Sequence, residues 1–125
     1  MDFSFTPEQD DAAALAASIL SDHATPARMR EVEAEGDRFD ARLWGALGEA
    51  GLLGLHLREE HDGAGLGLLE LCRVLVEIGR TVAPVPLASH GVAGLLLDEV
   101  VPSCFVHGAV PSFWGVSRRS RRVRR

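Results

Sequence analysis

The 125-residue sequence contains no lysine, only two cysteines and no long apolar run. The absence of lysine excludes a P-loop, whose lysine binds nucleotide phosphates. Cys72 and Cys104 form no C-x-x-C motif and no disulfide framework, which favours a reduced, cytoplasmic protein. No apolar run reaches the roughly 18 residues of a membrane span, and the first residues lack the pattern of a signal peptide. We therefore expect a cytoplasmic chain with no membrane partner.

Charge is distributed unevenly along the chain. All 13 basic residues are arginines, and six of them lie in the last eight positions. Residues 1–117 carry seven arginines against 18 acidic residues, a formal charge of −11. This negative charge argues against nucleic acid or an anionic membrane as the main partner. The composition of residues 102–125 predicts an irregular, disordered, arginine-rich tail.

Local signals predict two helices in the first third of the chain. Thr6 is a suitable cap for a helix with Pro7 in its first turn, and Gln9 completes a capping box. This helix is expected to end within residues 21–24, before a proline. A second, more polar helix is predicted over residues 26–35.

A third helix is predicted after Asp40, which is a suitable N-cap. Phe39 and Trp44 occupy the two positions of a hydrophobic staple, so Trp44 is predicted to lie in the core rather than against a ligand. Gly51 is a natural left-handed stop. Residues 52–57 are too few for a helix of their own and are expected to be extended.

An acidic, glycine-rich loop over residues 59–67 leads into a predicted helix over residues 68–82. The polar residues of this helix fall on one narrow stripe at helical spacing. Its apolar residues form two rows, Leu68, Leu71, Leu75, Ile78 and Val82 in the first and Leu69, Cys72, Val76 and Gly79 in the second. A helix apolar over about two-thirds of its circumference must be covered on two sides. It is therefore predicted to be the central core helix, with Cys72 buried.

Two prolines in residues 83–86 break the chain, and a fifth helix is predicted over residues 87–100. Gly91 and Gly94 each cost ~1 kcal/mol relative to alanine inside a helix. Glycine at such positions indicates the close approach of another helix or of a ligand. Five predicted helices indicate an all-α fold, with the helices in an orthogonal bundle.

Three patterns suggest chemistry but do not meet its requirements. The glycines of residues 63–67 fail the dinucleotide fingerprint because Leu68 stands in the last glycine position, so a structural turn is favoured. The acidic residues 59–62 are consecutive and cannot all point at one metal ion. Ser89 and His90 are adjacent on a helix and point about 100° apart, which disfavours a catalytic pair. No catalytic, cofactor-binding or metal-binding residue is predicted.

Several segments together resemble the N-terminal helical domain of the acyl-CoA dehydrogenase family. They are residues 3–9 (FSFTPEQ), residues 43–55 (LWGALGEAGLLGL), and a block from Glu60 through residues 63–67 (GAGLG) to residues 76–80 (VEIGR) and 83–87 (APVPL). Their order and spacing carry the match, which is most like actinobacterial members acting on branched, ring or sterol-derived acyl-CoA. The chain departs from the family's loop at Arg58 and at Asp62-Gly63, where the family usually has a proline and a glycine pair.

The resemblance implies an enzyme of three parts: this helical domain over residues 1–101, a middle β domain that holds FAD, and a C-terminal helical domain. In such enzymes a C-terminal carboxylate removes the α-proton of the acyl-CoA while the β-hydride passes to the flavin. Neither later domain is present in the 125 residues. The chain alone is therefore expected to retain no flavin and to be inactive.

The same resemblance implies that four residues of the fifth helix lie beside the acyl chain: Leu87, His90, Gly91 and Gly94. The missing side chains at the two glycines would leave room for the substrate. Close packing of another helix is the alternative explanation for both glycines.

Two other functions remain open. A non-catalytic helical interaction module would dock onto a full-length dehydrogenase subunit, since apolar surface is exposed when the middle domain is missing. A nucleic-acid-binding protein would use the arginines of residues 118–125. The resemblance fades near Pro102, and an arginine-only tail suggests a truncated gene or out-of-frame reading of a GC-rich message.

Overall fold

The computed structural model describes residues 4–36 and 38–96 and shows five α-helices. They are α1 (Pro7–His23), α2 (Pro26–Glu35), α3 (Ala41–Glu49), α4 (Leu68–Thr81) and α5 (Leu87–Leu96), with one 3₁₀ turn over Glu59–His61. The described residues contain no β-strand, so the predicted all-α fold is confirmed. The last four residues of the predicted fifth helix, 97–100, lie outside the described part of the chain.

The helix ends follow the predicted local signals. The amide of Gln9 donates to the Thr6 hydroxyl, and the amide of Thr6 donates to the Gln9 side chain at 3.0 Å, which completes the capping box of α1. The Asp40 carboxylate accepts from the first-turn amides of α3 at 3.1 and 3.3 Å. Gly51 ends that helix with φ of +75°, a conformation that glycine adopts without a steric penalty.

Helix α4 packs mainly against α1, and α1 also contacts α3. The contact is apolar in its centre, where the main buried residues are Ala13, Ala16, Leu20, Leu71, Val74 and Ile78. The polar residues of α4 also contact α1. Gln9 donates to Glu70 at 2.9 Å, and Arg73 donates to Asp10 at 2.8 Å. Half of the charged stripe of α4 therefore binds α1, while its Glu77–Arg80 pair at 2.6 Å stays within the helix.

The prediction that α4 is covered on two sides is wrong for the described residues. Leu71 is 1% exposed, whereas Leu69 is 61% exposed and Val76 is 47% exposed. The Cys72 thiol, predicted to be buried, lies on this exposed row as well. The described helices pack against the side of α4 that carries Leu71, Val74 and Ile78, and nothing in the described part of the chain covers the second row.

The prediction that residues 52–57 are extended is wrong. The segment forms consecutive turns, one of them closed by a hydrogen bond from the Leu57 amide to the Gly54 carbonyl at 3.0 Å. All four leucines of the segment are at most 3% exposed. Turns allow the side chains to enter the core in several directions, whereas an extended segment would alternate them between two faces.

None of the described helices is both long enough and apolar enough to cross a membrane.

Candidate functional site

A cleft of about 780 Å³ opens beside the break between α4 and α5. Its size falls in the range of small-molecule sites. It is mostly apolar and is lined by Arg38, Phe39, Trp44, Ala83, Pro84, Val85, Pro86, Ser89 and His90. The cleft therefore joins the start of α3 to the start of α5, two elements far apart in sequence.

Backbone and ring contacts fix the two sides of the cleft, the start of α3 and the start of α5, relative to each other. The Asp40 amide donates to the Pro84 carbonyl at 3.0 Å, which ties the N-terminus of α3 to the proline-rich break. Trp44 lies edge-on to His90, with ring centroids 5.2 Å apart and planes at 88°. Trp44 also packs at 6.1 Å from Phe39, as the predicted staple requires. Such edge-to-face pairs are favourable for aromatic rings.

The imidazole of His90 is held by the core as well as by Trp44. Its Nε2 atom lies 3.2 Å from the carbonyl oxygen of Leu53. Because a carbonyl oxygen only accepts, this hydrogen bond requires the proton on Nε2. The neighbouring Ser89 hydroxyl donates to the Pro86 carbonyl at 3.0 Å. This bond engages the hydroxyl with the residue just before α5, so the geometry offers no Ser–His catalytic pair.

Of the four residues that the family resemblance places beside an acyl chain, only His90 lines this cleft. Leu87 is fully buried. A Cβ atom at Gly91 would lie 2.5 Å from Cδ2 of Leu71, and one at Gly94 would lie 2.5 Å from Nε2 of His56. The glycines thus allow close packing of α5, which was the alternative explanation. The acyl contact of these four residues stays a prediction.

Eight of the nine lining residues were not predicted as site residues, among them Arg38, Phe39 and Trp44. The staple pattern correctly placed Trp44 in contact with Phe39, and Trp44 is 6% exposed. A largely buried ring can still present one edge to a cleft. The sequence gives no signal for this, since the cleft depends on the hydrogen bond between Asp40 and Pro84, residues 44 positions apart.

The glycine-rich loop does not form a phosphate site. The amides of Gly63 and Gly65 donate to the carbonyls of Arg58 and Leu57, at 3.1 and 2.8 Å. The amide of Gly67 donates to Glu70 at 2.8 Å, and the two intervening amides also bond to backbone carbonyls. With all five donors engaged inside the protein, none is left to bind a phosphate. The loop is a structural turn, as predicted.

An ion pair between Arg28 and Asp40 stabilises the start of α3, next to the cleft. Arg28 donates from Nε and Nη2 to the two carboxylate oxygens of Asp40, at 3.0 and 3.2 Å. Burial alone would raise the pKa of Asp40, but the hydrogen bonds from Arg28 and from the amides of Leu43 and Arg42 lower it on balance. Asp40 therefore caps α3 as a carboxylate and fixes α2 beside it. Among the described residues, no group of three or more histidine, cysteine, aspartate or glutamate side chains is arranged to hold a metal ion.

Comparisons with known proteins agree with this architecture. The family described as "Acyl-CoA dehydrogenase, N-terminal domain" matches residues 6–101. Acyl-CoA dehydrogenase FadE27 of Mycobacterium tuberculosis is 38% identical over 119 residues, which cover 94% of this chain and 30% of that protein. That alignment continues past residue 102, where the resemblance was expected to fade. Acyl-CoA dehydrogenase IpdE2 of the same organism is 38% identical over 82 residues, which cover 65% of this chain and 26% of that protein.

Two solved structures share the fold. A variant of the Tcur3481–Tcur3483 steroid ACAD matches with a TM-score of 0.77 and 44% identity, covering 81% of this chain and 30% of that one. The ChsE4–ChsE5 complex from Mycobacterium tuberculosis matches with a TM-score of 0.75 and 32% identity, covering 86% of this chain and 32% of that one. The chain thus spans about a third of the length of these relatives. From the family match, the sequence identity and the shared helical fold, we conclude that the chain belongs to the acyl-CoA dehydrogenase family and carries its N-terminal domain.

Proposed function

We propose that the chain supplies one wall of the acyl site in an FAD-dependent acyl-CoA dehydrogenase that forms an α,β double bond in its substrate. The observation that carries the proposal is the apolar cleft at the start of α5, whose lining contains Trp44, Val85 and His90. An acyl chain is apolar and flexible, so an aromatic and aliphatic wall suits it. The steroid ACAD among the structural relatives favours a lipid or sterol-derived acyl group.

The reaction requires groups that the described residues do not supply. No carboxylate lines the cleft, so a base for the α-proton has to come from elsewhere in the enzyme. When bound, FAD supplies the acceptor for the β-hydride. The glycine-rich loop does not fit its pyrophosphate, because the amides of that loop are all engaged within the protein. The role proposed for this domain is therefore to bind and orient the acyl chain.

A titration of the isotopically labelled 125-residue chain with octanoyl-CoA tests the proposal. We expect the largest NMR shift changes at the Trp44 indole, Ser89 and His90. Ser89→Trp fills the cleft and should abolish these changes, because Ser89 lines the cleft and its hydroxyl bonds only to the nearby Pro86 carbonyl. Ala88→Trp is the matched control, since Ala88 is exposed and is not part of the lining. Shift changes that survive Ser89→Trp would contradict the assigned site.

A second candidate is a non-catalytic module that docks onto a full-length dehydrogenase subunit. The exposed apolar side chains of α4 and α5 favour it: Leu68, Leu69 and Val76 on the first helix, and Val92, Leu95 and Leu96 on the second. Apolar side chains concentrated on a surface indicate an interaction site. Two of the structural relatives pair two differently named proteins, Tcur3481 with Tcur3483 and ChsE4 with ChsE5.

Co-expression with a full-length acyl-CoA dehydrogenase subunit encoded nearby tests this second candidate. A stable complex that is lost on Leu69→Ser with Val76→Ser would support docking through α4. A chain that elutes alone in both forms would contradict it.

A further inference from the structure

We propose that Arg38 makes the cleft selective for ligands that join an anionic group to an apolar body. The inference rests on the proposed function, because it assumes that the cleft is a binding site. Arg38 precedes α3 and lines the cleft together with aromatic and proline side chains.

The charges around the cleft support this assignment. Its lining includes Arg38 and no aspartate or glutamate. Residues 1–117 as a whole are acidic, with seven arginines, Arg38 among them, against 18 acidic residues. An acidic surface repels anions in general, so an anionic ligand needs a local cation at its site. Arg38 supplies such a cation beside an apolar surface.

Within the described residues, the charge of Arg38 is not engaged in an ion pair. No described carboxylate lies within ion-pair distance of its guanidinium, whereas Arg28 is paired with Glu31, Glu35 and Asp40. Arginine presents several donors in a fixed planar arrangement that matches carboxylate and phosphate oxygens. Arg38 can therefore bind either group in two-point fashion.

The backbone at Arg38 is also unusual. Its φ is +50°, a left-handed conformation that non-glycine residues seldom adopt. Such residues persist where the surrounding structure holds them, and they concentrate at ligand sites. Arg38 lines both the main cleft and a second cleft of about 510 Å³, whose other lining residues are Met29, Val32, Glu33, Val82 and Pro84. The loop thus places one arginine at the border of two clefts.

The anion has two possible sources within one chemistry. It is either a carboxylate carried by the acyl chain itself or a phosphate of the CoA portion. Octanol, octanoate and octanoyl-CoA separate these sources, because the first is neutral, the second has a carboxylate and the third has phosphates with a neutral thioester.

Calorimetric binding of these three probes to the full 125-residue chain tests the inference. If the anion is a carboxylate, we expect octanoate to bind up to about fivefold more tightly than octanol, the upper end for an exposed ion pair. Arg38→Gln should remove this preference if the anion is a carboxylate. If the anion is a phosphate, Arg38→Gln should instead weaken octanoyl-CoA by a similar factor and leave octanoate unchanged. Arg30→Gln is the matched control. Arg30 is exposed and does not line the cleft, and its substitution removes the same positive charge.

The outcomes distinguish this inference from the proposed function. Binding of all three probes with no effect of Arg38→Gln would overturn the role of Arg38 and leave the acyl cleft intact. Equal losses of binding affinity in Arg38→Gln and Arg30→Gln would also overturn it, because the effect would then come from the net charge of the chain. Binding of none of the probes would overturn both.

Discussion

At the scale of single residues, Gly63 is fixed by the backbone that faces it. A Cβ atom there would collide with the carbonyl group of Leu57, which cannot rotate away. We predict that Gly63→Ala lowers the free energy of unfolding by about 2 kcal/mol or more, the usual cost of an overpacked site. Gly45→Ala is the control, because nothing lies within 4 Å of a Cβ at that position in α3. It should raise stability by roughly 0.5–1 kcal/mol. Urea unfolding of both variants followed by circular dichroism measures the difference, and equal effects would contradict the packing described.

Asp40 makes stability depend on pH in a predictable direction. Its pKa is lower in the folded chain than its ordinary value of 3.8. Its contribution is therefore fully present above that value and is lost as pH falls toward the lower folded pKa. We predict that stability declines below about pH 4 and that Asp40→Asn makes the decline shallower. Unfolding curves between pH 6 and pH 2.5 test this, and an unchanged slope in Asp40→Asn would contradict the pairing with Arg28.

Asp40→Ala should be more damaging than Asp40→Asn. Alanine removes both the N-cap of α3 and the partner of Arg28, whereas asparagine keeps an oxygen for the cap. We expect the alanine variant to lose about 2–3 kcal/mol of stability. The free energies of unfolding at pH 7 measure the order of the two variants, and the reverse order would contradict the capping role.

Residue roles were predictable where they depend on neighbours in sequence. The caps at Thr6 and Asp40 and the staple pair of Phe39 and Trp44 involve residues at most five positions apart, and all formed as predicted. The place of Arg38 beside the cleft was not predictable, because the cleft exists only after the loop before α5 meets the start of α3. Chain topology decides that contact.

At the scale of elements, the centre of the first apolar row of α4 is buried, whereas its end residues Leu68 and Val82 and the whole second row are exposed. Leu69 and Leu71 make a matched pair, since both are leucines near the start of the same helix with 61% and 1% exposure. We predict that Leu71→Ala costs about 2–5 kcal/mol of stability and that Leu69→Ala stays within about 0.5 kcal/mol. Urea unfolding tests both. A large cost at Leu69 would show that the second row is covered.

The two-row pattern correctly predicted a helix but not which row is buried. Periodicity reports that a surface is apolar, and it cannot tell whether the cover comes from the same chain or from another part of an enzyme. The exposure of Cys72 has the same cause, because it belongs to the second row. The turns at residues 52–57 were missed because a short apolar run gives no period that separates turns from an extended strand.

At the scale of the whole molecule, the chain spans about a third of the length of its relatives. We predict that the purified chain carries no stoichiometric flavin, because the amides of the glycine-rich loop are all engaged within the protein and cannot bind its phosphates. An absorbance spectrum from 300 to 550 nm checks this. A stoichiometric yellow chromophore would contradict it and would require a flavin site outside the described residues.

The central claim is that the cleft at the start of α5 receives an acyl chain. Intermolecular NOEs between bound octanoyl-CoA and the labelled 125-residue chain test it most directly. The account predicts NOEs from the acyl methylene protons to the side chains of Trp44, Val85 and His90. NOEs that instead reach Leu69 and Val76 on the exposed row of α4, with none to the cleft, would contradict it.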